Sequence, residues 1–176
     1  MTNNFLNKLK KENKLELVEY SNEIRDSYLD KSDSCYKSAK ILLENNLLEN
    51  SIGLSYYSMY DALLSLLFGV GIKCENHSGS ILMLKLLFEE NELFEIISNA
   101  KKERVDKQYY VMDEQDGMTR EIAEELIINA ENFILKVKVI LKKIDSDYIK
   151  KIKKRFDKLW VKKVKWICHL VWFLWL

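Results

Sequence analysis

Proline is absent from the 176 residues, and glycine occurs only five times. Proline removes a backbone donor and clashes with the preceding turn, so its absence permits long uninterrupted helices. Cysteine is scarce: Cys35, Cys74 and Cys168 lie far apart, with no CxxC and no neighbouring histidine pair. That argues against a disulfide framework or a zinc site and fits a reducing, cytoplasmic interior. There is no Walker loop, GxGxxG or HExxH, so no metal or cofactor is expected. The start, Met1 to Lys11, is polar and charged and lacks the apolar core of a signal peptide.

The charge is present but unevenly placed. The formal net charge is +1, yet residues 136–176 carry 13 Lys/Arg against three Asp, and the first 135 residues carry the acidic excess. An acidic body with a basic tail suggests that the tail meets a polyanion, a membrane surface or an acidic partner. A solvated lysine-rich helix accounts for the same pattern.

Helical periodicity organises the rest. Residues 1–18 read as a polar lead-in. From Tyr20 to Leu43, Tyr28, Cys35, Ala39, Leu42 and Leu43 recur at spacings of three, four and seven. A second helix from Glu49 to Gly69 is apolar nearly all round, which places it at the centre of a bundle. Asn76 or Ser78 can cap a third helix, and a fourth spans about Glu92 to Met112. Thr119 caps a helix whose Ala123, Leu126, Ala130, Phe133, Val137, Ile140 and Ile144 form a heptad-like seam. No strand-length alternation is visible. The expected fold is all-α: an up-and-down antiparallel bundle of four to five helices over 19–145, with an extra C-terminal helix in 146–176.

All four tryptophans, Trp160, Trp166, Trp172 and Trp175, fall in the last 17 residues. Trp166 to Leu176 is apolar apart from His169, but eleven residues fall short of the roughly 20 that a spanning helix needs. The tail is expected to fold back on the bundle or enter a subunit interface, with contact to a membrane surface as the alternative.

The stretch Ser38-Ala39-Lys40-Ile41-Leu42-Leu43 is followed by Ser51-Ile52-Gly53-Leu54-Ser55-Tyr56-Tyr57-Ser58-Met59-Tyr60-Asp61-Ala62. Then come Leu66-Leu67-Phe68-Gly69-Val70-Gly71, Asn76-His77-Ser78-Gly79 and Arg104-Val105-Asp106-Lys107-Gln108-Tyr109-Tyr110. In order and spacing, from Tyr28 to Leu141, these pieces resemble the HEPN domain family. The resemblance implies a helical bundle, a homodimer and a toxin-antitoxin setting with a minimal nucleotidyltransferase partner. It also implies RNA or nucleotide as the ligand, because many members are metal-independent ribonucleases using an Arg-x4-6-His motif at the dimer seam.

Cleaving RNA without a metal requires a base for the 2′-hydroxyl proton and a cation for the developing charge. Arg104 can supply the cation. The family's histidine should follow five to seven residues on, but Tyr109, Tyr110 and Val111 stand there, and a tyrosine near pKa 10 is a poor base at neutral pH. Full ribonuclease activity is therefore not the first expectation. His77 can substitute if the fold brings it to Arg104; otherwise it caps or packs its loop. Lys101, Arg104 and Gln108 share one helical face, and with Ser78 they are the candidate nucleotide- or RNA-binding residues. Arg104, His77 and Tyr110 are the catalytic candidates. Tyr110 is also the candidate acceptor for a nucleotidyl group, as the resemblance implies. Tyr56, Tyr57 and Tyr60 read as core.

Overall fold

Buried backbone donors and acceptors must be paired, and apolar-faced segments without proline pair them as helices. The computed structural model describes residues 2–109 and 120–160. Among these are seven α-helices: α1 (Thr2–Lys11), α2 (Asn22–Glu44), α3 (Leu48–Gly69), α4 (His77–Met83), α5 (Asn91–Tyr109), α6 (Arg120–Leu141) and α7 (Ser146–Lys158). A π-helical turn, Leu84–Phe88, continues α4. The expected all-α antiparallel bundle is what forms, built from α2, α3, α5 and α6.

Ser21 starts α2 by accepting the Ile24 amide on its hydroxyl at 3.1 Å. The helix stops at Asn45-Asn46, where Asn46 takes a positive φ of 58°. The all-round apolar helix is α3, and it is central: Tyr56, Met59, Leu63, Leu66 and Leu67 are fully buried. It packs on α2, α5 and α6. The α6 seam points inward as its periodicity predicts, with Ala123, Leu126, Ala130, Phe133, Val137 and Ile140 all buried. Fixing so many apolar side chains in one layer removes on the order of 2 kcal/mol each of exposed-surface cost.

The N-terminal segment differs from the expected polar lead-in. Leu6 and Leu9 of α1 and Leu15 are buried in the core. Residues Leu15–Leu17 form β1, paired antiparallel with β2 (Ile72–Cys74) in the register Leu15↔Cys74, Glu16↔Lys73, Leu17↔Ile72. Three residues are too few to show alternation, and the partner strand is far away in sequence, so periodicity could not reveal the pair. Gly71 turns the chain from α3 into β2 at φ 76°; a Cβ there would meet the Val18 carbonyl oxygen at 2.6 Å.

Asp145 begins the C-terminal extension as a cap, its carboxylate accepting the Asp147 and Tyr148 amides at 3.0 and 2.8 Å. Ile152 and Phe156 of α7 are buried, and Arg155 donates to the Leu87 carbonyl and to Glu89 at the end of the π turn. Lys10 of α1 lies 4.4 Å above the Trp160 ring. The extension therefore lies against the bundle as far as Trp160. Trp166, Trp172 and Trp175 lie outside the described residues, as does Thr119. No helix among the described residues is long and apolar enough to cross a membrane.

Candidate functional site

Consecutive residues on a helix point about 100° apart, so Tyr56 and Tyr57 meet different surroundings. On α3, Tyr56 and Tyr60 share the inward face and are buried, whereas Tyr57 is 37% exposed. The start of α4 lies against them. Asn76 accepts the Gly79 amide at 2.9 Å and fixes His77 as the first helical residue. Between Asn76 and Ser78 caps, Asn76 is the one used. Gly79 lets α1 approach: a Cβ there would meet Leu9 Cδ1 at 2.6 Å and Cys74 Sγ at 2.9 Å.

His77 is held on two sides. Its ring stacks on Tyr60 with centroids 3.9 Å apart, and its Nδ1 is 2.6 Å from the Tyr56 hydroxyl. From α5, the Arg104 guanidinium lies 5.2 Å from the Tyr56 ring centroid and 5.5 Å from that of Tyr57. Its Nη1 donates to the Tyr57 hydroxyl at 3.5 Å. One turn earlier, Lys101 donates to the Ser78 hydroxyl at 2.5 Å. Thus α4 contributes His77 and Ser78, α5 contributes Lys101 and Arg104, and the α3 tyrosines stand between them.

The electrostatics follow from this crowding. Burial, and then the nearby Arg104 and Lys101 charges, push His77 below the ordinary histidine range, so its ring is neutral near pH 7. Burial and then Arg104 also lower Lys101. Burial raises Tyr56 far above a free phenol, which keeps its hydroxyl protonated. A surface with two cations, a hydroxyl and a neutral imidazole can hold a phosphate, and the imidazole can accept a proton.

Of the residues picked out from sequence, the structure brings together His77, Ser78, Lys101 and Arg104. Tyr110 and the Gln108 side chain lie outside the described residues. Sequence reasoning missed Tyr57, which it grouped with the core; the adjacent Tyr56-Tyr57 pair was the available signal. No three His, Cys, Asp or Glu side chains converge among the described residues.

Comparison with known proteins adds a family. Residues 25–140 match the HEPN domain. A Methanocaldococcus jannaschii protein named "Putative toxin" is 31% identical over 108 residues, covering 61% of this chain and 81% of that protein. A UPF0332 protein of Pyrococcus horikoshii is 45% identical over 58 residues, covering 33% of this chain and 41% of that protein.

Proposed function

This chain belongs to the HEPN domain family, and we propose that it is a toxin-type member that binds a phosphate of RNA or of a nucleotide on Lys101, Arg104, Ser78 and His77. One observation carries this reading: Lys101 of α5 donates to Ser78 at the start of α4, and Arg104, one turn on, lies over the same α3 tyrosines that hold His77. Each like charge raises the energy of the other, a cost that a bound anion offsets. The relative's name supports the toxin setting. Fluorescence anisotropy with a short single-stranded RNA tests it. Arg104→Ala is expected to weaken binding by about tenfold or more and to flatten its salt dependence. Unchanged binding by both Arg104→Ala and Lys101→Ala would refute the reading.

A second reading is metal-independent RNA cleavage, favoured by the neutral His77 lying beside the same tyrosines as Arg104. His77 would accept the 2′-hydroxyl proton as the 2′-oxygen attacks phosphorus. The bond to the 5′-oxygen breaks, that oxygen takes a proton from water, and Arg104 balances the charge on the phosphorane. Cleavage should then persist in EDTA and vanish in His77→Gln. Loss in Tyr110→Phe instead would assign the proton transfer to Tyr110.

Regulation by partners completes the proposal. The chain would form a homodimer and bind a minimal nucleotidyltransferase, which would load a nucleotidyl group onto Tyr110. Co-expression with a minimal nucleotidyltransferase, followed by co-purification and intact mass measurement, reads binding and modification; no complex and no added mass would remove this part.

A further inference from the structure

Next to the phosphate-binding surface lies a cavity of about 380 Å³, which shares Tyr57 and Arg104 with it. That volume is within the range of small-ligand pockets. Glu49 and Asn50, Gly53, and Tyr57 recur at three- and four-residue spacing along α3, so they line one side of the cavity. Leu42 and Ile52 supply apolar lining. Gly53 is the telling residue. Glycine inside a helix is less stable than alanine, yet a Cβ at Gly53 would meet nothing within 4 Å. Packing within the chain therefore does not require it, and the bare backbone leaves room for a flat ligand against the helix.

We infer that this cavity takes a nucleobase, guanine above the others, from the nucleotide whose phosphate lies on Lys101 and Arg104. The inference rests on the phosphate-binding reading above. A base is flat and apolar on both faces, and Tyr57 and the Arg104 guanidinium are planar groups on which bases stack. Its edge needs polar partners, and Glu49 and Asn50 stand in the lining. A carboxylate only accepts hydrogen bonds, which suits the N1–H and N2–H donors of guanine; adenine offers a ring-nitrogen acceptor at the corresponding place. An apolar side chain from a second copy of the chain fits less well, because seating it would bury the Glu49 and Arg104 charges.

The test is calorimetric titration of the full chain with GMP, AMP, CMP, UMP and ribose 5-phosphate. GMP is expected to bind about tenfold more tightly than AMP, a difference the size of one or two lost hydrogen bonds. Glu49→Gln should abolish that preference. Gly53→Leu, which favours the helix while filling the notch, should reduce GMP binding to the level of ribose 5-phosphate, with circular dichroism confirming the fold. Equal binding of all four nucleotides, or unchanged GMP binding by Gly53→Leu, overturns the base site. If in that case Arg104→Ala still weakens every ligand, the phosphate site stands and only the base site falls. No binding by any of the five ligands removes both. Altered sedimentation of Gly53→Leu with unaltered GMP binding assigns the cavity to a second copy, which also overturns it.

Discussion

The ring of His77 lies face to face with that of Tyr60, their planes 5° from parallel. One face of the imidazole is thereby covered, and its Nδ1 is taken up by the Tyr56 hydroxyl. The same contacts that dock α4 on α3 keep the ring neutral beside two cations. Packing and chemistry are joined in this one side chain.

Stability should therefore depend on pH through His77. Its folded pKa lies below the unfolded value of 6.5, so the unfolded chain binds the proton more readily. The stabilisation is complete above the unfolded pKa and is lost as pH falls through the folded one. Urea midpoints measured at steps from about pH 8 to pH 5 should fall on the acid side, and His77→Phe should flatten that part of the profile. A wild-type curve parallel to that of His77→Phe would contradict the assignment.

Phosphate binding should respond to acid in the opposite direction. A protonated His77 adds a third cation to Lys101 and Arg104, so RNA affinity should rise as pH drops through the lowered His77 pKa, whereas cleavage by a neutral base should fall. Anisotropy and cleavage assays on the same RNA separate the two, and parallel pH profiles would exclude His77 as the base.

Arg104→Lys keeps the charge but loses the planar group that lies over Tyr56 and Tyr57. Arginine forks onto phosphate and stacks on rings, while lysine is a compact point charge. RNA binding should weaken by roughly threefold to tenfold, with a salt slope close to that of the parent, because the number of neutralised phosphates stays the same. Full retention of affinity would reduce Arg104 to a bare charge.

Much of this architecture is legible in the sequence because bundle helices bury a stripe at helical period. The α6 seam and the apolar α3 announce themselves in this way, and Asn76 marks a helix start by its capping chemistry. Other features depend on contacts between distant segments, which no local pattern encodes. Leu6, Leu9 and Leu15 sit among lysines and asparagines and gain burial because β1 pairs with β2 and α1 packs against Gly79 at the start of α4. Whether His77 meets Arg104 depends on how α4 and α5 pack, and Tyr57 is exposed because its sector of α3 meets Arg104 rather than another packed helix face. The vacancy beside Gly53 is a property of the surrounding surface, so its role could not be read from one letter.

The buried carboxylate of Asp61 yields the last prediction. It lies in the middle of α3 with its side chain 3% exposed, and its Oδ1 accepts from Lys31 of α2, which is 62% exposed, at 3.2 Å. Burial raises the Asp61 pKa, and the hydrogen bond and charge of Lys31 pull it back. A carboxyl raised in the folded state costs stability as pH climbs through its folded pKa, and that cost is absent well below the unfolded value of 3.8. Removing the cation in Lys31→Met leaves the carboxylate without its main compensation. The variant should lose about 1–3 kcal/mol near neutral pH. The loss should shrink in acid, where the carboxyl takes up a proton and its charge disappears. Adding Asp61→Asn to Lys31→Met should recover part of the neutral-pH loss, since the amide carries no charge to desolvate. Urea titrations of the single and double variants at neutral and acid pH read each step. A Lys31→Met penalty of equal size at both pH values would mean that the ammonium's place 5.9 Å from the Tyr28 ring centroid matters more than its pairing with Asp61.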